Sequence, residues 1–118
     1  MAYDLNNIFA KILREEIPCK KVFENEFALA FHDIAPEAPV HVLVVPKIDC
    51  ISFDDFAKTA TPEFMQGFFA SVQKVAEMLG LPENGYRIIS NHGADASQSV
   101  AHFHVHIVGG KKLGRLLP

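Results

Sequence analysis

His102-Phe103-His104-Val105-His106-Ile107-Val108, near the C-terminal end of the chain, sets a histidine at every second position with an apolar residue after each. Side chains alternate across an extended strand, so this spacing predicts a strand over 102–108 with three imidazoles on one face. Phe103, Val105 and Ile107 would then face a core, and Gly109-Gly110 would close the strand. Each imidazole has two ring nitrogens to satisfy, and three together are costly to bury without partners. The stretch therefore points to chemistry as well as packing.

Working outward, His41-Val42-Leu43-Val44-Val45 is a nearly continuous β-branched run stopped by Pro46, as expected of a central strand covered on both faces. Lys20 to Glu24 and Phe27 to His32 read as two strands about an Asn25-Glu26 turn, and Tyr86 to Ser90 as another after the Asn84-Gly85 turn. Between the first strands and the central one, Pro36 and Pro39 require a loop. Leu5, Ile8, Phe9, Ile12 and Leu13 follow the spacing of an amphipathic helix, with Asp4 as its cap, and Pro18 stops it. Thr61-Pro62-Glu63 opens a second helix whose apolar face is Phe64, Phe68, Val72, Val75 and Leu79, with Gly80 at its end. The order α-β-β-β-α-β-β predicts an α+β domain with a mainly antiparallel sheet and two helices.

The chain has 118 residues, one domain's worth, so a single domain over 1–118 is expected. It is 49% hydrophobic and 21% charged, which excludes a disordered chain; ten Phe with no Trp can furnish both a core and an apolar pocket. A net charge of −3 with no cluster of Lys and Arg argues against nucleic acid or an anionic membrane as partner. Residues 1–7 lack the basic and apolar stretches of a signal peptide, and no segment approaches the roughly 20 apolar residues of a membrane span. Cys19 and Cys50 stand alone, as reduced thiols would in the cytoplasm, the expected location.

Two chemistries suit the histidines. One is metal binding, since His-x-His on a strand can supply two ligands. Against it, His102 and His106 would lie about 13 Å apart on an extended strand, too far to converge on one tetrahedral ion. The other is nucleophilic catalysis, in which a neutral imidazole with one nitrogen held by a hydrogen bond offers the other to phosphorus. Neighbouring imidazoles can then bind phosphate oxygens and protonate a leaving group. The loop from Asn91 to Ser99 is rich in small polar residues and can offer backbone N–H groups to an anion.

His-φ-His-φ-His-φ-φ, with φ apolar, resembles the signature of the histidine-triad (HIT) superfamily, and every position fits. Ile8-Phe9, Ile17-Pro18, Phe31-His32-Asp33-Ile34, Ala38-Pro39-Val40-His41, Val44-Val45-Pro46-Lys47, Gly85-Tyr86-Arg87 and Gln98-Ser99-Val100 are similar to its Hint branch, so the likeness spans about residues 7 to 110. It implies a five-stranded sheet in a homodimer that joins two sheets into one, and a hydrolase of purine nucleoside phosphoramidates, with aminoacyl-adenylates as a further substrate class, releasing AMP or GMP. By the same resemblance His104 attacks the α-phosphorus, giving a nucleotidyl-histidine that water hydrolyses. His102 orients it, His106 lies by the leaving group, and His41 is a fourth histidine on the neighbouring strand. Ser99, Ser97 and Asn91 match phosphate-binding positions, with Ser99 able to help protonate the departing amine. Asp33 matches the acceptor of both ribose hydroxyls, and Phe9, Ile12, Phe31 and Ile34 match the walls around the base. No cofactor and no metal is required in this scheme.

Without the resemblance, Asp33 reads equally as a residue initiating the Pro36 turn, Phe9, Ile12, Phe31 and Ile34 as core, and His41 as an ordinary strand residue. His32 and His92 read as surface or supporting residues. The chain departs from the branch at Ser97, where Gly is usual and a positive φ would strain a serine. It departs again at Ala101, where a larger residue is common, and in the Trp-less tail Lys111 to Pro118, which looks bacterial. His106 favours hydrolysis over nucleotidyl transfer, since the transferases of the superfamily carry Gln there. Hydrolysis of dinucleoside polyphosphates and a nucleotide-binding regulatory module with vestigial catalysis are the alternatives.

Overall fold

The β-branched run lies at the centre of the sheet in a computed structural model that describes residues 2–117. Met1 and Pro118, the two ends of the expected domain, the start of the expected leaderless N-terminus and the end of the tail, lie outside the described residues. In chain order the elements are α1 Ile8–Leu13, β1 Lys21–Glu24, β2 Ala28–His32, β3 Val40–Pro46, α2 Phe53–Thr59, α3 Pro62–Met78, β4 Arg87–Ile89 and β5 Val105–Gly109, with a 3₁₀ turn over Ala94–Ala96. The strands form one sheet in the order β1-β2-β3-β5-β4, and every neighbouring pair is antiparallel. The α+β class with a five-stranded sheet is thus observed. No helix among the described residues is long and apolar enough to cross a membrane.

The alternation of side chains divides the core into two layers. On one face Ala28, Ala30, Val42, Val44, Phe103, Val105 and Ile107 pack with Phe56 of α2 and with Phe68, Val72 and Val75 of α3. On the other, Leu29, Phe31, Leu43 and Val45 pack with Phe9 and Ile12 of the short helix α1. Leu43 pairs with His106, so His106 and its second neighbours stand on the α1 face, opposite the layer under α3. His41, two residues before Leu43, lies on the same face.

Among the described residues there are three α-helices rather than the expected two. The additional helix, α2, has a start signal in the sequence: the Asp55 carboxylate accepts from the backbone N–H of Ile51 at 2.6 Å and of Ser52, the N-cap, at 2.8 Å. Seven residues give too short a periodic pattern to stand out. The cap of α1 is Asn7, not Asp4; Asn7 Oδ1 accepts from the Ala10 N–H at 2.8 Å, and Leu5 stays outside the helix and exposed. The entry to α3 is as expected, with Thr61 Oγ1 accepting from the Phe64 N–H at 3.0 Å and Pro62 in the first helical position.

The histidine strand begins three residues later than its alternation suggests, at Val105 rather than His102. Its partner β3 ends at Pro46, and the Phe103 N–H turns to the Cys50 carbonyl at 2.8 Å instead of joining a ladder. Phe103 still packs with Val105 and Ile107. Cys19 and Cys50 are free thiols, and burial with the nearby Asp55 charge pushes the Cys50 thiol up to about 12.

Candidate active site

The start of β5 with the residues just before it, the start of β3 and the N-terminal segment bring four of the six histidines together. His104 is 5% exposed, and its Nδ1–H donates to the backbone carbonyl of His102 at 2.7 Å. That bond assigns the tautomer and leaves a lone pair on Nε2. Phe9 packs edge-on against the ring, centroids 4.8 Å apart, and Phe31 packs edge-on against Phe9 at 5.7 Å. Burial pushes the His104 pKa below the ordinary histidine value, so the lone pair is present at neutral pH.

His102 is fully buried, and both its ring nitrogens are taken: Nε2–H donates to the Pro46 carbonyl at 3.0 Å, and Nδ1 accepts from the Tyr3 hydroxyl at 2.5 Å. Burial lowers its pKa too. With no nitrogen free, the ring can only anchor, and its backbone carbonyl is what orients His104.

His41 and His106 form a second pair. The Glu37 backbone N–H donates to His41 Nδ1 at 3.0 Å, which leaves the His41 proton on Nε2. That Nε2 lies 2.9 Å from His106 Nδ1 and donates to it, so the proton of neutral His106 sits on its own Nε2. His106 Nε2–H is then a donor available to an oxygen or nitrogen of a ligand. Burial first, then the neighbouring His104 and His41, lowers the His106 pKa to about 4, so it is neutral at pH 7.

Asp33 joins this pair, with Oδ2 3.4 Å from His41 Nε2, while Oδ1 accepts the Ala35 N–H at 2.8 Å. The turn reading of Asp33 therefore describes its Oδ1, while Oδ2 stands beside the histidines. Asp33, His41 and His106 each have a donor atom within 4.8 Å of the others', a spacing that a divalent ion could bridge. The Glu37 N–H opposes this. A ring whose Nδ1 accepts a hydrogen bond keeps its proton on Nε2, the atom the ion would need.

A cavity of about 400 Å³ opens beside this pair, lined by His41, His106 and Asn91 together with Arg87 and the tail residues Lys111 and Lys112. The other expected residues are more scattered. Ile12 is buried with Phe9 and Phe31, whereas Ile34 is 97% exposed and outside that cluster. Ser99 is exposed and lines a separate hollow of about 580 Å³ with Ile51, Ser52 and His92. Ser97 has φ +58° and ψ +40°, the left-handed conformation that favours glycine. The loop holds that shape through Gln98: its Nε2 donates to the carbonyls of Ile51 at 2.6 Å and Val100 at 3.0 Å, and its Oε1 accepts the Gly93 N–H at 2.9 Å. His92 supports the loop by a 2.6 Å bond to Ser52.

Tyr3, the Glu37 backbone, the Pro46 carbonyl and the Gln98 side chain are parts that residue spacing does not reveal. Tyr3 and His102 are 99 residues apart, and the Glu37 contribution is a main-chain group with no side-chain signature.

The HIT domain family matches residues 14–113. An uncharacterised 13.2 kDa HIT-like protein of Azospirillum brasilense is 54% identical over 115 residues, covering 98% of this chain and 94% of that protein. The purine nucleoside phosphoramidase of Escherichia coli K12 is 40% identical over 111 residues, covering 93% and 92%. Among solved structures, a HIT family hydrolase from Clostridium thermocellum superposes with a TM-score of 0.83 at 37% identity, covering 96% of this chain and 97% of that one.

Proposed function

The chain belongs to the HIT domain family, and from that we propose that it is a hydrolase of purine nucleoside phosphoramidates, cleaving the P–N bond to release AMP or GMP. The observation that carries this reading is the His104 tautomer: a neutral imidazole held through Nδ1 by a backbone carbonyl, with its Nε2 lone pair free. Hydrolase and phosphoramidase relatives add support.

In the first step His104 Nε2 bonds to the α-phosphorus as the P–N bond breaks. The ring becomes positive, and its Nδ1–H bond to the His102 carbonyl strengthens as it does. The departing nitrogen takes up one proton, through the Ser99 hydroxyl or His106 Nε2–H and made good from solvent, and leaves as the amine. Water then forms a P–O bond, the Nε2–P bond breaks, and the proton of that water returns to solvent. His106 Nε2–H steadies the phosphoryl oxygens, and Asn91, Ser97 and Ser99 bind the phosphate. Asp33 accepts the ribose hydroxyls, and Phe9, Ile12, Phe31 and Ile34 flank the base. The reading includes a cytoplasmic homodimer, with no metal taking part.

The test is intact-mass detection of a nucleotidyl adduct during turnover of a slow adenosine phosphoramidate, mapped by peptide to His104. His104→Ala should lose the adduct and at least about a thousandfold in kcat. An adduct on another residue overturns the assignment, and binding without turnover in the wild type favours a regulatory module.

A further inference from the structure

The backbone that presents the nucleophile lies outside the sheet. β5 begins at Val105, so residues 102–104 have no ladder to hold them, although the His102 carbonyl is what fixes His104. Their fastenings come from other parts of the chain. The Phe103 N–H donates to the Cys50 carbonyl at 2.8 Å, and Ser90 Oγ donates to the His104 carbonyl at 3.0 Å. His102 itself is pegged by its ring, through Nε2–H to the Pro46 carbonyl. That peg holds in one tautomer alone. With the proton on Nδ1, the Nε2 lone pair would face the carbonyl oxygen and the bond would be lost. The Tyr3 hydroxyl, donating to Nδ1, selects the tautomer that keeps it. Burial above all raises the Tyr3 phenol beyond the ordinary tyrosine value, so the donor proton stays in place at neutral pH.

The segment that carries Tyr3 is itself fixed. The Asp4 carbonyl accepts from the Asn7 N–H at 3.2 Å and from Asn7 Nδ2 at 2.7 Å, and Asp4 Oδ1 accepts from the Asn6 N–H at 2.8 Å. Arg14, at the far end of α1, ties this turn down by donating from Nη1 to the Leu5 carbonyl at 2.8 Å. One short stretch therefore touches both histidines. Tyr3 meets the His102 ring edge-on with centroids 5.6 Å apart, and Phe9 meets the His104 ring. Tyr3 lines neither the cavity beside His106 nor the hollow at Ser99, so it stands behind the site rather than in it.

We propose that Tyr3 is a positioning residue of the reaction: its hydroxyl fixes the His102 tautomer, and with it the carbonyl that keeps the His104 lone pair on Nε2. The inference rests on the phosphoramidase reading for the reaction it serves, and adds a residue to it. Without the hydroxyl, the buried His102 Nδ1 loses its donor. The ring then moves its proton to Nδ1 or turns, the Pro46 bond goes, and the His102 carbonyl drifts from His104. A fraction of His104 takes the opposite tautomer, with a proton on the nitrogen that should meet phosphorus. Substrate contacts are untouched, so the loss falls on kcat and not on KM.

The experiment uses Tyr3→Phe, which keeps the ring and removes only the hydroxyl. Ring ¹⁵N shifts of His102 and His104 are recorded without substrate, and turnover of adenosine 5′-phosphoramidate is measured under conditions where circular dichroism shows the variant folded. The shifts should move toward the opposite tautomers, and kcat should fall about tenfold with KM changed less than about twofold. In a His102→Phe background, which has no Nδ1 to accept, adding Tyr3→Phe should change kcat by a factor of about one. Where that background fails to fold, the ¹⁵N shifts of the single variant decide. Unmoved shifts with lowered stability make Tyr3 a structural residue and overturn the proposal, as does a rise in KM alone or an undiminished loss in the His102→Phe background. Shifted tautomers in a chain whose wild type turns nothing over would sustain the role of Tyr3 at His104 and refute the hydrolase.

Discussion

At the scale of single residues, the consequential group is the Glu37 backbone N–H, because it decides which nitrogen of His41 carries a proton and, through His41, which nitrogen of His106 does. His41 is on this account a positioning residue. His41→Ala should lower kcat about 10–100-fold with a smaller change in KM, the scale seen when an imidazole loses its orienting partner. His41→Gln, whose amide can still donate to His106 Nδ1, should recover part of that loss. The ¹⁵N shifts of His106, which distinguish its tautomers, should change in the Ala variant and much less in the Gln variant. The triad was legible because a period of two is visible in seven letters. The route by which its protons are assigned was not, because it runs through backbone groups and through contacts between distant segments.

The same residues set a pH dependence. Burial holds His102, His104 and His106 below the ordinary histidine value of about 6.5, His106 at about 4. As pH falls past about 6.5 the unfolded chain takes up protons that these sites refuse, so it binds more protons than the folded state and stability declines toward pH 4. Above about 6.5 both states are neutral at these residues and their contribution is level. Urea titrations should give a lower midpoint at about pH 5 than at about pH 7.5, and a smaller difference when His106 is replaced by Asn. The acid limb of kcat should likewise fall below pH 6.5, since the His104 lone pair survives to lower pH than that of a free imidazole.

At the scale of elements, α3 contains an instructive conflict. Gly67 lies inside the helix, where alanine is better by about 1 kcal/mol on propensity alone. Yet a Cβ there would sit 2.6 Å from the ring of Phe27, which is edge-on to Phe64 of the same helix. Overpacking of this kind costs about 1–3 kcal/mol, so Gly67→Ala should be destabilising on balance, measured by denaturant unfolding. Ser97 offers the opposite case: glycine relieves a left-handed serine, and Ser97→Gly should be neutral to about 1 kcal/mol stabilising. Long or sharply bounded elements were readable, β3 from its apolar run and α3 from Thr61-Pro62. Helix α2 was not, and the histidine strand was overextended because side-chain alternation continues past the point where the backbone leaves its ladder to bond Cys50.

At the scale of the whole molecule, the sheet ends on β4, a three-residue strand paired only with β5, with Ile88 52% exposed beside it. An open backbone edge of this kind is a template for another strand. The homodimer reading predicts sedimentation at twice the 13.1 kDa chain mass at micromolar concentration, and a shift toward monomer when Ile88 is changed to Lys. Catalysis and assembly would then be neighbours, since Arg87 of this edge also lines the cavity beside His106.

The bond from Tyr3 to His102 has an optical consequence. The chain has no tryptophan and two tyrosines, so its ultraviolet emission comes from Tyr3 and Tyr86 without an indole to drain it. A phenol bonded to an imidazole is quenched, and that imidazole belongs to the residue whose carbonyl holds the nucleophile. In a Tyr86→Phe background the remaining fluorophore becomes a built-in gauge of the site. It should brighten when the histidine cluster loosens and register that loosening before the fold as a whole gives way.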